Sequence, residues 1–178
     1  MPYYETKKGS ALTFAEERIL VDYCIKNKDS QVCQAILILL YFGLRTSELK
    51  TIEIKNDNIL ECVSSKTRKG RKDVIRTIPF TPMFNKVKEY VNFDYAKKVN
   101  PESIRTAIRR LFPNHHTHEL RYTFITRCKE CGVNPEVVML WDGHSFDKDV
   151  KTSAVDRGYT TYSLKYLIEQ SKLVKYDF

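Results

Sequence analysis

A chain of 178 residues with 42% hydrophobic and 29% charged side chains has the balance of a globular protein and the length for one hydrophobic core. Its formal charge of +8 and isoelectric point near 9.2 point to an anionic partner, nucleic acid ahead of an acidic membrane surface. The most apolar run, Val32 to Phe42, is far short of the roughly 20 residues of a membrane span, and MPYYETKKGS carries no secretory signal. The expected location is therefore the cytoplasm. Five cysteines, an odd number without framework spacing, suit a reducing compartment. Cys128 and Cys131 form a lone CxxC; without a second pair they read as small core residues and not as a zinc site.

Residues 1–12 read as a tail or linker stub, and 13–178 as one domain. TFAE, with Glu16 three residues after Thr13, is a capping box that starts a helix running to Asn27. A second helix from about Ser30 is apolar almost all round, which marks a central core helix, and Gly43 is its left-handed stop. Thr46 or Ser47 then caps a short helix through Leu49. The pattern turns strand-like at Ile52 and Ile54, at Ile59 to Val63 and at Val74 to Phe80, predicting a three-stranded antiparallel sheet. Its second hairpin, SSKTRKGRKD, concentrates Lys66, Arg68, Lys69, Arg71 and Lys72. A helix is expected from Pro82 to Phe93, and another begins at Asn100-Pro101. In that one Ile104, Ala107, Ile108 and Leu111 form the core stripe and leave Arg105, Arg109 and Arg110 outside it. HELR opens a helix from His118 to Cys131, Asn134-Pro135 opens one ending near Asp142, and the last runs from Ser163 to about Lys175. The fold class expected is mainly α, an α+β domain with one small sheet.

Several residues carry chemistry suited to a phosphate. Arg45 follows the Gly43 stop within GLRTSEL, and Glu48 is placed to orient its guanidinium, whose fixed fork suits two phosphate oxygens; alone, the same pair reads as an ordinary ion pair. Arg121 lies three residues after His118 in HELR, so both are expected on one helix face. His115, His116 and His118 lack the further ligands a zinc shell requires. His144 follows Gly143 in DGHS, and Tyr159 follows Gly158 after a polar linker. A tyrosine there is either an exposed nucleophile or a packing residue.

GLRTSEL, the SKT hairpin lysine, HELR, GHS and the tyrosine that follows resemble, in order and over residues 12–175, the catalytic domain of the tyrosine recombinases, the phage-type integrases. The resemblance implies a helical catalytic domain with a small three-stranded antiparallel sheet. It implies site-specific DNA recombination or integration by cleavage and rejoining through a 3′-phosphotyrosyl bond. Arg45 and Arg121 correspond to the pair that clamps the scissile phosphate, and Glu48 to the acid supporting the first of them. His118 corresponds to the acid–base histidine, His144 to the one that binds a non-bridging oxygen, and Lys66 to the lysine that protonates the leaving 5′-oxygen. Tyr159 corresponds to the nucleophile, because YTTYSL matches the family's continuation; Tyr162 is the second choice. Tyr159 lies 15 residues past His144, a longer linker than is usual there. Lys69 and Lys72 are rivals of Lys66 within the same hairpin.

The resemblance further implies no cofactor and no metal, since cations of the chain neutralise the phosphate. Double-stranded DNA is the implied partner, with Arg68, Lys69, Arg71, Lys72, Arg105 and Arg109 contacting phosphates along the duplex. It also implies a homotetramer of the full-length protein on DNA, an accessory directionality factor, a cytoplasmic, nucleoid-associated location, and an upstream core-binding domain absent from this chain. Two other readings stay open: a type IB topoisomerase, disfavoured by histidine at position 118, and a catalytically silent DNA-binding module.

Overall fold

Helix α2 (Gln31–Phe42) is the axis on which most of the other helices pack. Ten of its twelve residues are buried, so it has no solvent face, as its unbroken apolar sequence requires. Ser30 caps its start and Gly43 ends it at φ 61°, in the left-handed region. A Cβ at Gly43 would lie 2.4 Å from Phe124 Cδ1, so the glycine serves both the turn and the close packing of Phe124 against it. The computed structural model describes residues 9–65, 74–143 and 162–177.

Helix α1 (Phe14–Lys26) opens on the expected capping box: Thr13 Oγ1 accepts from the Glu16 amide while Glu16 Oε2 accepts from the Thr13 amide at 2.8 Å. After α2, a 3₁₀ turn (Thr46–Thr51) leads into an antiparallel sheet of β1 (Glu53–Lys55), β2 (Ile59–Val63) and β3 (Ile75–Pro79), ordered β1-β2-β3. Leu60 pairs with Ile78 and Cys62 with Arg76, and all four are buried. The basic hairpin residues 66–73 lie outside the described residues.

The segment expected to be one helix from Pro82 to Phe93 is instead three short pieces: α3 (Pro82–Asn85), a 3₁₀ turn (Lys88–Tyr90) and α4 (Phe93–Ala96). The break has a tertiary cause. The Asn92 amide donates to Gln34 Oε1 on α2 at 2.9 Å, while the Asn92 side chain caps α4. The bend seats Phe80, Phe84 and Phe93 around Phe42, with centroids 4.6–6.5 Å apart.

Helices α5 (Pro101–Leu111), α6 (Glu119–Glu130) and α7 (Pro135–Asp142) follow, α5 and α6 packing on α2 and α7 on α6. The last helix, α8 (Leu164–Ser171), stops four residues before the expected Lys175. Beyond it the chain turns back onto its own domain: Val174 is buried, and Tyr176 OH donates to Glu17 of α1 at 2.5 Å. Cys128 is in the core, whereas Cys131 is only partly buried, its Sγ directed at the Lys175 carbonyl. No helix among the described residues is long and apolar enough to cross a membrane.

Candidate active site

The site forms where the end of α2, the sheet, the start of α6 and the end of α7 meet. Arg45 leaves α2 just past the Gly43 turn with its side chain 14% exposed. Glu48, one 3₁₀ turn later, is wholly enclosed and accepts hydrogen bonds from five directions. These come from the Arg45 amide at 2.8 Å, Arg45 Nη1 at 3.0 Å, the Ser65 amide at 3.0 Å, Ser65 Oγ at 3.2 Å and Arg76 Nη2. Burial pushes the Glu48 carboxyl upward, but the Arg76 charge, then the Ser65 and Arg45 amides, outweigh it and hold the group below its ordinary range. Glu48 is therefore an ionised hub in the protein interior. It joins Arg45 to Ser65, the residue that leads into the basic hairpin.

Arg121 and His118 part company in the structure. They were expected to share a helix face; α6 begins at Glu119 with His118 as its N-cap residue. His118 is exposed, its ring edge-on to Tyr122 at 5.0 Å, whereas Arg121 is 1% exposed. His118 itself keeps right-handed helical dihedrals, φ −64° and ψ −19°, so the two differ in burial and not in helical phase. Arg121 donates through Nη1 to the Gly43 carbonyl at 2.7 Å and through Nη2 to the Asp142 carbonyl, with the Asp142 carboxylate 3.9 Å away. Burial, and next the Arg45 charge, lower its pKa to about 10, so it stays cationic at neutral pH.

A cleft of about 420 Å³ opens beside these groups, lined by Arg45, Thr46, Ser47, Arg105, Thr117 and His118 among others. Thr117 Oγ1 is buried without a hydrogen-bond partner among the described residues. Arg105 and Arg109 are exposed on α5, away from the buried Ile104 and Ile108, and Arg105 is ion-paired with Glu102. The cleft thus brings Arg45, His118 and Arg105 to one surface. Lys66, Arg68, Lys69, Arg71, Lys72, His144 and Tyr159 lie outside the described residues.

Tyr162, the alternative nucleophile, is described and stands elsewhere. Its hydroxyl donates to Glu136 Oε2, receives Asn134 Nδ2 at 3.4 Å, and its ring stacks on Tyr166 at 5.0 Å. The Glu136 hydrogen bond pushes its pKa up, away from the phenolate a nucleophile needs. Glu136 lies in the first turn of α7, whereas the carbonyls held by the buried arginines end it; at 1.5 Å per residue these are about 8–9 Å apart along the axis.

Sequence reasoning missed Arg76. It lies on β3, 3% exposed, with Nη2 on Glu48 and Nη1 on the Trp141 carbonyl at 2.8 Å. The signal was available. Strand period two puts residue 76 on the same face as the buried Ile78, and an arginine on a core face demands a partner. Arg45, Arg76 and Arg121 face the carboxylates of Glu48 and Asp142, an arrangement with one more cation than anions, suited to a singly charged phosphodiester.

No family model matches the chain. Curated relatives do. A tyrosine recombinase of Pseudothermotoga lettingae is 29% identical over 150 residues, covering 74% of this chain and 51% of the relative. The tyrosine recombinase XerA of Pyrococcus furiosus is 26% identical over 186 residues, covering 93% and 63%. XerA of Pyrococcus horikoshii is 28% identical over 160 residues, covering 79% and 55%. The chain therefore spans about half to two thirds of the length of these relatives. Among solved structures, the Tn1549 transposon integrase (residues 82–397) in complex with circular intermediate DNA superimposes with a TM-score of 0.59 at 19% identity, covering 94% of this chain and 66% of that one. The XerH recombinase bound to difH gives 0.55 at 14% identity, covering 82% and 50%. The integrase of mycobacterium phage Brujita gives 0.53 at 16% identity, covering 96% and 66%. These three share its fold of helices around a small antiparallel sheet. With that fold, the boxes in their order and these relatives, the chain is similar to the tyrosine recombinases.

Proposed function

We propose that residues 13–178 act as the catalytic domain of a site-specific DNA recombinase that cuts and rejoins strands through a 3′-phosphotyrosyl intermediate. The observation that carries this reading is Arg45, oriented by the buried Glu48 at the wall of a cleft it shares with His118. A phosphodiester under attack gains charge on its non-bridging oxygens. Cations fixed in advance at that point stabilise the transition state without reorganising. Arg45 and Arg121 are assigned this role, and His144 is assigned to a non-bridging oxygen.

In the step proposed, the Tyr159 oxygen attacks phosphorus and its proton passes to His118. The bond from phosphorus to the 5′-oxygen breaks, and Lys66 protonates that oxygen. The phosphate stays ester-linked to the chain, so a second strand's 5′-hydroxyl can reverse the step and no net hydrolysis occurs. Tyrosine's ordinary pKa of about 10 makes phenolate formation the harder half, which favours a site rich in arginine. The cations of the chain neutralise the phosphate in this scheme. The duplex is gripped through phosphate contacts from Arg105, Arg109 and the hairpin residues Arg68, Lys69, Arg71 and Lys72. In the full-length protein, four copies would assemble on two recombining sites, with an accessory factor setting direction.

The test uses nicked suicide duplexes whose sequence is randomised around the nick, so that cleavage releases a short fragment and traps the enzyme. Wild type and Tyr162→Phe are expected to form a denaturant-resistant protein–DNA adduct, and Tyr159→Phe none. The absence of any adduct from wild type across the library overturns the reading.

A further inference from the structure

Arg76 has a side chain 2% exposed with both Nη atoms on protein acceptors, and it binds three parts of the site at once. Through Nη2 it meets Glu48, whose other oxygen holds Arg45 Nη1. Because Glu48 also accepts both the amide and the hydroxyl of Ser65, the same ion pair tethers the first residue of the hairpin turn. Through Nη1 Arg76 holds the Trp141 carbonyl at 2.8 Å, at the end of α7. Its aliphatic stem lies against Gly143, where a Cβ would sit 2.7 Å from Cδ, so the chain passes over Arg76 immediately before residue 144. Arg121 takes the next carbonyl, that of Asp142, so two buried guanidinium groups hold consecutive carbonyls at the C-terminal end of one helix. Cations are favoured at that end, where carbonyls lack intrahelical partners.

We infer that Arg76 is a positioning residue of the recombinase reaction, fixing Arg45 through Glu48 and the α7 end through the Trp141 carbonyl and Gly143. The inference rests on the strand-transfer reading above. A guanidinium suits the task because its planar fork reaches two acceptors in different directions, Glu48 on one side and Trp141 on the other. Lysine keeps the charge but has one ammonium, and it cannot hold both acceptors in the same geometry. Arg76→Lys therefore keeps the buried carboxylate neutralised while releasing the α7 end, and Arg76→Met releases both. A displacement of about 1 Å in a reacting group lowers a rate by on the order of 10²-fold.

The experiment is a single-turnover cleavage assay of the 178-residue chain on the suicide duplex selected from the randomised library, with duplex binding and thermal unfolding followed in parallel. Wild type must first form the adduct; if it does not, the strand-transfer reading fails and not the assignment of Arg76. Given that control, Arg76→Lys is expected to bind duplex like wild type but cleave roughly 10²-fold more slowly, at a temperature where it is folded. In an Arg45→Lys background the same change is expected to add about twofold or less, because the two residues act as one unit. A merely structural Arg76 predicts the opposite: a lower unfolding temperature with unchanged cleavage by the folded fraction, or a defect that multiplies fully on Arg45→Lys. Either result overturns the inference. If Arg76→Met does not fold, Arg76→Lys alone carries the comparison.

Discussion

Replacing Glu48 with glutamine changes one oxygen for an NH₂ group and should be among the most damaging isosteric substitutions in the chain. The Glu48 side chain is 0% exposed and accepts from two guanidinium groups, two amides and a hydroxyl. All five contacts are donors, so whichever way glutamine turns, its own NH₂ faces other donors. The change also removes the charge that offsets Arg76, itself 2% exposed. Breaking a buried ion pair from one side lowers stability by about 3–5 kcal/mol. For a domain of this length each kcal/mol shifts the melting temperature by about 2–4 °C, so a fall of roughly 6–20 °C is expected. The assay is thermal unfolding followed by circular dichroism at neutral pH, with Glu48→Asp as a partial-rescue control. The control keeps the charge but shortens the reach. A melting temperature within about 2 °C of wild type would refute the reasoning, since it would mean that the carboxylate's charge matters little to the arginines around it.

Gly143→Ala and Gly43→Ala should each destabilise by more than about 1 kcal/mol, because both glycines have positive φ and an added Cβ would meet Arg76 Cδ at 2.7 Å or Phe124 Cδ1 at 2.4 Å; urea unfolding reads this, and a neutral result contradicts it. His115 sits between Glu16 and Glu119, at 3.1 Å and 2.5 Å. Burial lowers its pKa, but the hydrogen bonds to the Glu16 and Glu119 carboxylates outweigh it, and the net shift is upward. A raised histidine stabilises fully below its unfolded value near 6.5, and that contribution disappears as pH rises through the folded value. His115→Gln should therefore destabilise by about 1 kcal/mol at pH 6 and by less at pH 9; equal losses at the two pH values would exclude this account. Tyr162→Phe removes the contacts with Glu136 and Asn134 at the far end of α7. It should leave the cleavage rate on the suicide duplex within about threefold of wild type, and a loss beyond tenfold would point to Tyr162 as a participant.

Much of the fold was legible because local signals and the global fold agree. The Thr13 capping box, the Gly43 stop and Asn100-Pro101 each mark a helix end that depends only on neighbouring residues. The segment from Pro82 to Phe93 was misread because its break is set from α2, by Gln34, and no local pattern reports a hydrogen bond over 58 positions of sequence. The early end of α8 has a similar origin, since Val174 and Tyr176 are drawn back onto the domain and Tyr176 onto Glu17. At the site, Arg45 and Glu48 could be paired from sequence because they are one turn apart. Arg76 could not, being 28 positions from Glu48 and 65 from Trp141. The different burial of His118 and Arg121 is set by the packing of α6 on α2, which three-residue spacing does not report.

The most direct measurement is to locate the covalent link itself. Trypsin should release Gly158–Lys165, a peptide that contains both Tyr159 and Tyr162. After nuclease trimming of a trapped adduct, fragmentation of this peptide assigns the nucleotide to one tyrosine. The account predicts a 3′-phosphonucleotide on Tyr159, with a free 5′-hydroxyl on the released strand. A nucleotide on Tyr162, or a link of the opposite polarity through a 5′-phosphate, would contradict it.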